Sequence, residues 1–531
     1  MTKRKLYFNA RIYTQIASLS PAESMAVEDN RIIAVGRNLK YDPDFSGFAK
    51  INLKGMSLLP GFVDAHTHFY FIIMSMGTVK LDGYESLDKV LARIRKQVAT
   101  LDKNEWLVGD GFSPDRWKKY AQTDRYILDN VSAGRPAAIF SKDQHTMWAN
   151  SKALELAGIS VDTPEPAGGK IERFADGTPT GILKEIPGYF PVFKMIKKPN
   201  DAKIALYHDL ALKNAYEKGV TGVHSFDGPD ALDYFYSLSE RGKLGLRINY
   251  YPPAKMIDEL SKRGMKRGFG NDYFRISGIK IFADGSLGSQ TALCFNKYLG
   301  SDDNFGIETT PKVEIVEMIR KASNLNLPAA IHAIGDKAIS NVLDCFEKSP
   351  LLPAGARHRI EHLQMICRSD IPRIKRMKIV ASMQPTHCPS DVKLIEKYWG
   401  KRGRNCYIFR TLLDRGVGLA FGSDAPIEPL HPMAGVYAAV NRFTPGTKKA
   451  FYPAERISVA EALRGFTSGP AFAAGQEDER GYLLPGNKAD FVIFEENPYE
   501  MPKSHLEELT PVATVLNGAA VFAVGKARNL L

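Results

Sequence analysis

Leu58-Leu59-Pro60-Gly61-Phe62-Val63-Asp64-Ala65-His66-Thr67-His68 runs from an apolar stretch straight into two histidines spaced two apart. That spacing puts both imidazoles on one side only in a β-strand, where successive side chains alternate faces. At the carboxyl end of a buried strand such a pair is a ready two-nitrogen claw for a divalent metal. Whether it serves as one depends on what the other strand ends carry.

Working outward, short apolar segments recur between helical patterns such as 201–218, 313–324 and 337–348. The candidate strands are 58–66, 219–224, 246–251, 276–282, 329–332, 359–362, 379–384 and 418–424, eight in all. This alternation predicts an α/β fold, a (β/α)8 TIM barrel, with polar residues closing each strand at the face where such barrels keep their chemistry. The gap between the first two strands, about 150 residues, is far longer than one helix requires. It holds Trp106, Trp117 and Trp148, three of the four tryptophans, and reads as an insertion covering the active-site mouth.

Both ends are rich in short, turn-bounded strands, with Asn517-Gly518 a strong hairpin turn between the last two. Neither end has enough strands for a stable sheet of its own, so the expectation is one small β-sandwich built from both termini. The expected division is therefore 1–57 for the first part of the sandwich and 58–76 for the first barrel strand with its claw. The insertion takes 77–199, the rest of the barrel 200–475, and the second part of the sandwich 476–531.

Composition excludes several classes. Hydrophobic residues at 44% and charged residues at 24% are ordinary for a soluble globular protein. The net charge of +12 is spread along the chain, with no basic block longer than Lys118-Lys119 or Lys448-Lys449 and their neighbours. A solvated basic surface is expected, and no nucleic-acid partner. The longest greasy stretch, 69–79, is too short for a bilayer, and Met1 to Lys5 lead into no signal-peptide core, so no membrane partner is expected. Five scattered cysteines, Cys294, Cys345, Cys367, Cys388 and Cys406, argue for a reducing, cytoplasmic setting and against a cysteine metal site.

The strand ends carry His66, His68, His224, Lys280, His332, His362 and Asp424. A lone histidine there is usually a hydrogen-bonded core residue; several on successive strands at one face point to a metal. Lys280 lies within the apolar strand Ser277-Gly278-Ile279-Lys280-Ile281-Phe282, where an unpaired ammonium is costly. Burial frees its amine to react with carbon dioxide, giving a carbamate able to bridge two cations; the alternative is a salt bridge to Asp284 or Glu185. Asp424, where the last strand meets its loop, can bind a metal and take a proton from water, or cap a turn. His145 reads equally as a substrate contact and as a local structural residue, and His387 as a substrate contact. Tyr70, Phe71 and Trp148 suggest an apolar pocket.

The ordered set His-x-His, strand lysine, histidine, histidine, aspartate resembles the amidohydrolase superfamily. Longer strings resemble the branch of the N-substituted formamide deformylases and related metal-dependent hydrolases. They are Pro60 to His68, Asp143-Gln144-His145 with Trp148-Ala149-Asn150-Ser151, and Ala283-Asp284-Gly285-Ser286-Leu287-Gly288-Ser289. Further along come His332-Ala333-Ile334-Gly335-Asp336, His358-Arg359-Ile360-Glu361-His362, Gln384-Pro385-Thr386-His387, Phe421-Gly422-Ser423-Asp424 and Leu484 to Phe491.

The resemblance implies a binuclear centre, with two zinc ions expected and iron, manganese or nickel as alternatives. One ion would be held by His66, His68, the N6-carboxylated Lys280 and Asp424, the other by that carbamate, His332 and His362. A metal-activated hydroxide would attack the carbonyl of a small non-peptide amide, with Asp424 as proton shuttle; a mononuclear variant with unmodified Lys280 stays open. His145, His387, Trp148, Tyr70 and Gln290 would face the substrate, Gln290 standing where the family often has arginine. His224 and Glu361 would support the ligands from behind, and a homodimer is the expected assembly. The rivals are a deaminase, a lactone or phosphoester hydrolase on the same scaffold, and a non-catalytic assembly scaffold.

Overall fold

The structure, a computed structural model, describes residues 3–16, 21–102, 105–112, 123–141, 146–166, 168–447 and 449–531. The chain divides into two compact units, Met1–Ile72 with Ala211–Leu531, and Ile73–Leu210.

In the first unit the parallel strands Phe62–Thr67, Val220–Ser225, Arg247–Tyr250 and Phe274–Ile276 form one ladder in that order. Ile279–Phe282, Ala329–Ala333, Arg359–His362, Val380–Met383 and Leu419–Phe421 form a second, also parallel. Single parallel bridges link the two ladders, Pro253, just beyond Arg247–Tyr250, to Lys280 and Thr67 to Ala425. The intervening helices include Asp201–Glu217, Lys312–Ser323 and Asp336–Glu347.

Two expected strands are divided. Residues 58–66 split at Gly61: Ser57–Pro60 pairs antiparallel with Phe491–Phe494, and only from Phe62 does the chain join the parallel ladder. Gly61 packs so tightly on Thr221 that a Cβ would lie 2.4 Å from its Cγ2. Residues 276–282 split at Gly278, whose Cβ would meet the Pro328 carbonyl at 2.6 Å. There the chain exchanges partners: Ser277 N–H donates to Tyr250, and Ile279 N–H to Pro328. The expected single ring is therefore two ladders joined by bridges.

Both termini combine, as one eight-stranded sheet of order Ala519–Ala523, Ala513–Leu516, Phe491–Phe494, Ser57–Pro60, Arg4–Ile12, Ala22–Glu28, Arg31–Gly36, with Ala49–Asn52 also on Arg4–Ile12. The sheet branches, because the first half of Arg4–Ile12 pairs with Ala49–Asn52 and its last residues with Ser57–Pro60. Tyr7, Ile12, Met25, Leu58, Phe491, Ile493 and Val515 fill one core against it.

The second unit carries a six-stranded mixed sheet, parallel through Val79–Lys80, Leu107–Phe112 and Ala137–Ser141, antiparallel beyond. It is apolar on both faces, since Ala137 and Ile139 enter one core and Ala138 and Phe140 the other, the two-residue period of a covered strand.

Candidate metal centre

The side chains expected to bind metal come from the carboxyl ends of the parallel strands. His66, His362 and Asp424 each offer a ligand atom, all lying within 4.8 Å of one another, and all three residues are buried. His68 Nε2 is 3.3 Å and His66 Nε2 3.6 Å from the same Asp424 oxygen. The His332 ring lies 4.5 Å from that of His362, and the His66 ring 5.1 Å from it. His362 and Asp424 both have left-handed backbones, φ 70° and 59°. That conformation is strained for non-glycine residues, of order 1–3 kcal/mol each, and is typical of functional positions. Gly422 permits the approach: a Cβ there would lie 2.4 Å from the His66 nitrogen.

Buried partners orient the imidazoles. Glu361 accepts from His66 Nδ1 at 2.5 Å, leaving Nε2 to face Asp424. His332 Nε2 contacts the Gly285 carbonyl at 2.9 Å, which leaves Nδ1 as its lone-pair nitrogen. Arg359, fully buried, donates through Nε to Glu361 at 2.5 Å, and to the Ala65 carbonyl and Ser382 Oγ, each at 2.6 Å. Its Nη1 also donates to His224 Nδ1 at 2.7 Å. His224 and Glu361 thus belong to one network behind the claw. Asp64 ties the claw strand to the Asp424 loop by accepting from the backbone N–H of His66 and of Ser423, each at 3.0 Å.

The electrostatics suit a cation. Burial, then the Lys280 charge, lowers His66 to about 4 and His332 to about 3, so both imidazoles are neutral at neutral pH, the form a metal would require. Burial alone would raise the Asp424 carboxyl, but the hydrogen bond with His68, helped by the surrounding imidazoles, holds it well below the usual range. Lys280 is pulled down to about 8 by burial, against the opposing pull of Glu361 and Asp424. Its ammonium lies over the rings of Phe226, at 4.8 Å, and Phe282, at 4.9 Å, and forms no ion pair among the described residues. The alternative partner Asp284 is engaged by the amides of Leu293, Ile334 and Gly335. Neutral imidazoles with an ionised carboxylate are the donor set that zinc, iron, manganese and nickel accept, so the residues fit the implied metals.

The remaining expected residues divide. His387 lies beside the centre, its ring 6.2 Å from His362 and nearly parallel. The Tyr70 ring packs on Tyr234 and Phe235, and Gln290 holds a left-handed turn, φ 57°, whose carbonyl accepts from Asn304. Trp148 is fully buried in the core of the second unit, with its indole N–H donating to the Asp124 carbonyl at 2.8 Å. His145 lies outside the described residues.

Sequence reasoning gave no role to Arg359, Asp64 or Asp227. The alternation Arg359-Ile360-Glu361 was a usable signal, since both charges fall on one strand face. Asp227, which accepts from the Tyr70 and Phe71 amides, had no comparable signal. Glu361→Gln should weaken metal binding about 10–100-fold, because a neutral amide accepts more weakly from His66; competition with a chromogenic chelator measures this.

Comparison with known proteins agrees with this geometry. The profile of the amidohydrolase family matches residues 49–522. The N-substituted formamide deformylase of Arthrobacter pascens is 26% identical over 97% of this chain and 97% of its own. YtcJ of Bacillus subtilis is 30% identical over 98% of this chain and 99% of its own. The crystal structure of an uncharacterized metal-dependent hydrolase from Pyrococcus horikoshii superposes with a TM-score of 0.80 at 29% identity, covering 95% of this chain and 99% of that one. Such neighbours imply an α/β fold of the TIM-barrel superfamily for the ladders described above. With a profile match that takes in every strand bearing a candidate ligand, this chain belongs to the amidohydrolase family.

Proposed function

We propose that the protein hydrolyses a non-peptide amide C–N bond, with N-substituted formamides and similar small amides as substrates, at two divalent cations. His66, His68, Lys280, His332, His362 and Asp424 would hold them. The observation that carries this reading is the convergence of His66, His362 and Asp424 within 4.8 Å, backed by a buried network that fixes the imidazoles. The substrate class is supported by the formamide deformylase among the relatives.

Bound there, divalent cations supply Lewis-acid charge and lower the pKa of water to near neutrality. Asp424, kept ionised, takes the proton of the attacking water at a carboxylate oxygen and hands it to the departing nitrogen. Lys280 as an ammonium would repel cations. Its depressed pKa supplies free amine for carbamate formation, and an anionic carbamate would attract them. Gln384 Nε2, Thr386 Oγ1 and His387 Nε2 are buried without a hydrogen-bond partner among the described residues. All three follow the strand Val380–Met383, and His387 stacks beside His362, so this segment is suited to hold the polar atoms of a substrate. The five cysteines, all free, fit a reducing compartment. No helix among the described residues is long and apolar enough to cross a membrane.

The test is metal-replete protein offered a panel of N-substituted formamides, N-acyl amines, hydantoins, lactones and phosphoesters. About two divalent ions per chain and fastest turnover of formamides, with release of formate, are expected. Preferential turnover of a lactone or phosphoester, or no metal uptake, overturns the reading.

A further inference from the structure

At the amino ends of three neighbouring parallel strands, away from the metal centre, the first unit encloses a second polar site. Gly61 and Val63 at the start of Phe62–Thr67, Gly222 of Val220–Ser225, and Arg247 border an internal cavity. It leaves about 10 Å³ for the centre of a water-sized sphere, enough for one water or one monatomic ion. Arg480, Lys488 and Asp490 complete its charged wall.

The charges around it do not balance. Asp490 is engaged by Arg247 at 2.6 and 2.9 Å and by the Asn517 amide at 2.7 Å. Lys488 pairs with Asp272, and Arg275 with Glu479 at 3.0 Å. Those three cations therefore take up the three carboxylates, and Arg480 is the fourth cation. It is 7% exposed, its Nε has no hydrogen-bond partner, and its nearest carboxylate, that of Glu479, is 3.8 Å away and already held by Arg275. Burial and the neighbouring Arg247 pull its guanidinium down to about 10, against the weaker opposing pull of Asp490 and Glu479, carboxylates already engaged by Arg247 and Arg275.

A buried guanidinium is tolerated only when paired and hydrogen-bonded. A water accepts a hydrogen bond but brings no charge, and phosphate or sulfate exceeds the space. We propose that this cavity binds a monatomic monovalent anion, chloride in cellular salt, held by Arg480 with Arg247 and Lys488 alongside. The anion completes the charge balance where the terminal sheet, through Lys488 and Asp490, meets the parallel ladder.

Crystals of the metal-loaded enzyme soaked in sodium bromide and measured at the bromine edge are expected to show an anomalous peak within hydrogen-bonding distance of Arg480. Ordered water with no peak overturns the proposal. In solution, the unfolding midpoint of the holoenzyme should rise by about 2 °C at a hundredfold excess of chloride over its Kd, relative to gluconate at equal ionic strength. Arg480→Met should abolish that difference, and equal responses to both anions in the native enzyme count against the site. Should the variant fail to fold, the bromide peak decides.

Discussion

Arg359→Met is expected to lower folding stability by about 3–5 kcal/mol, the cost of leaving a buried ion without its partner. Arg359 is fully buried and holds both oxygens of Glu361, His224, Ser382 and the Ala65 carbonyl. Methionine fills a similar volume and satisfies none of them. The Glu361 charge is then uncompensated, and its grip on His66 Nδ1 loosens. Denaturant unfolding measures the first effect, and metal analysis after dialysis the second, where a fall in retained metal is expected beside unchanged metal in a surface control such as Arg320→Met. Retained metal together with a stability change below about 1 kcal/mol would show that the network is ornamental.

Asp424→Asn is expected to reduce kcat/KM by between about 10²- and 10⁴-fold, the range for loss of a positioned proton-transfer group. The replacement suits this position. Asparagine tolerates the left-handed backbone that Asp424 adopts, and it preserves size. The unfolding midpoint should therefore move little while turnover collapses, which separates chemistry from folding. Metal content measured on the same sample tells whether the loss comes from the proton or from a lost ligand.

Much of the centre was legible because strands announce themselves twice, by apolar runs and by the polar residues that end them. His66 with His68, His362 and Asp424 stand at such ends, and the structure gathers them. Glu361 was legible only through family resemblance, and Arg359 went without a role although its two-residue spacing from Glu361 placed both on one face. Backbone departures were invisible: alternation alone would send His362 to the opposite face from Glu361, and the left-handed turn at His362 is what redirects it. The divisions at Gly61 and Gly278 escaped for a related reason, since an apolar run does not disclose which neighbour its amides will choose. Trp148 shows the same ambiguity, since an aromatic residue beside a family string reads alike whether it lines a pocket or, as its packing here shows, fills the core of a sheet.

The pairing of Ser57–Pro60 with Phe491–Phe494 has a kinetic corollary. The stretch that leads into the histidine claw acquires its antiparallel neighbour only after some four hundred further residues have left the ribosome. Until then Leu58 and Leu59 have no partner strand on that edge, and the loop closure they await is among the longest the polypeptide offers. The nascent chain is thus poised to complete the edge beside the claw late, an early strand waiting on one from near the far end of the polypeptide.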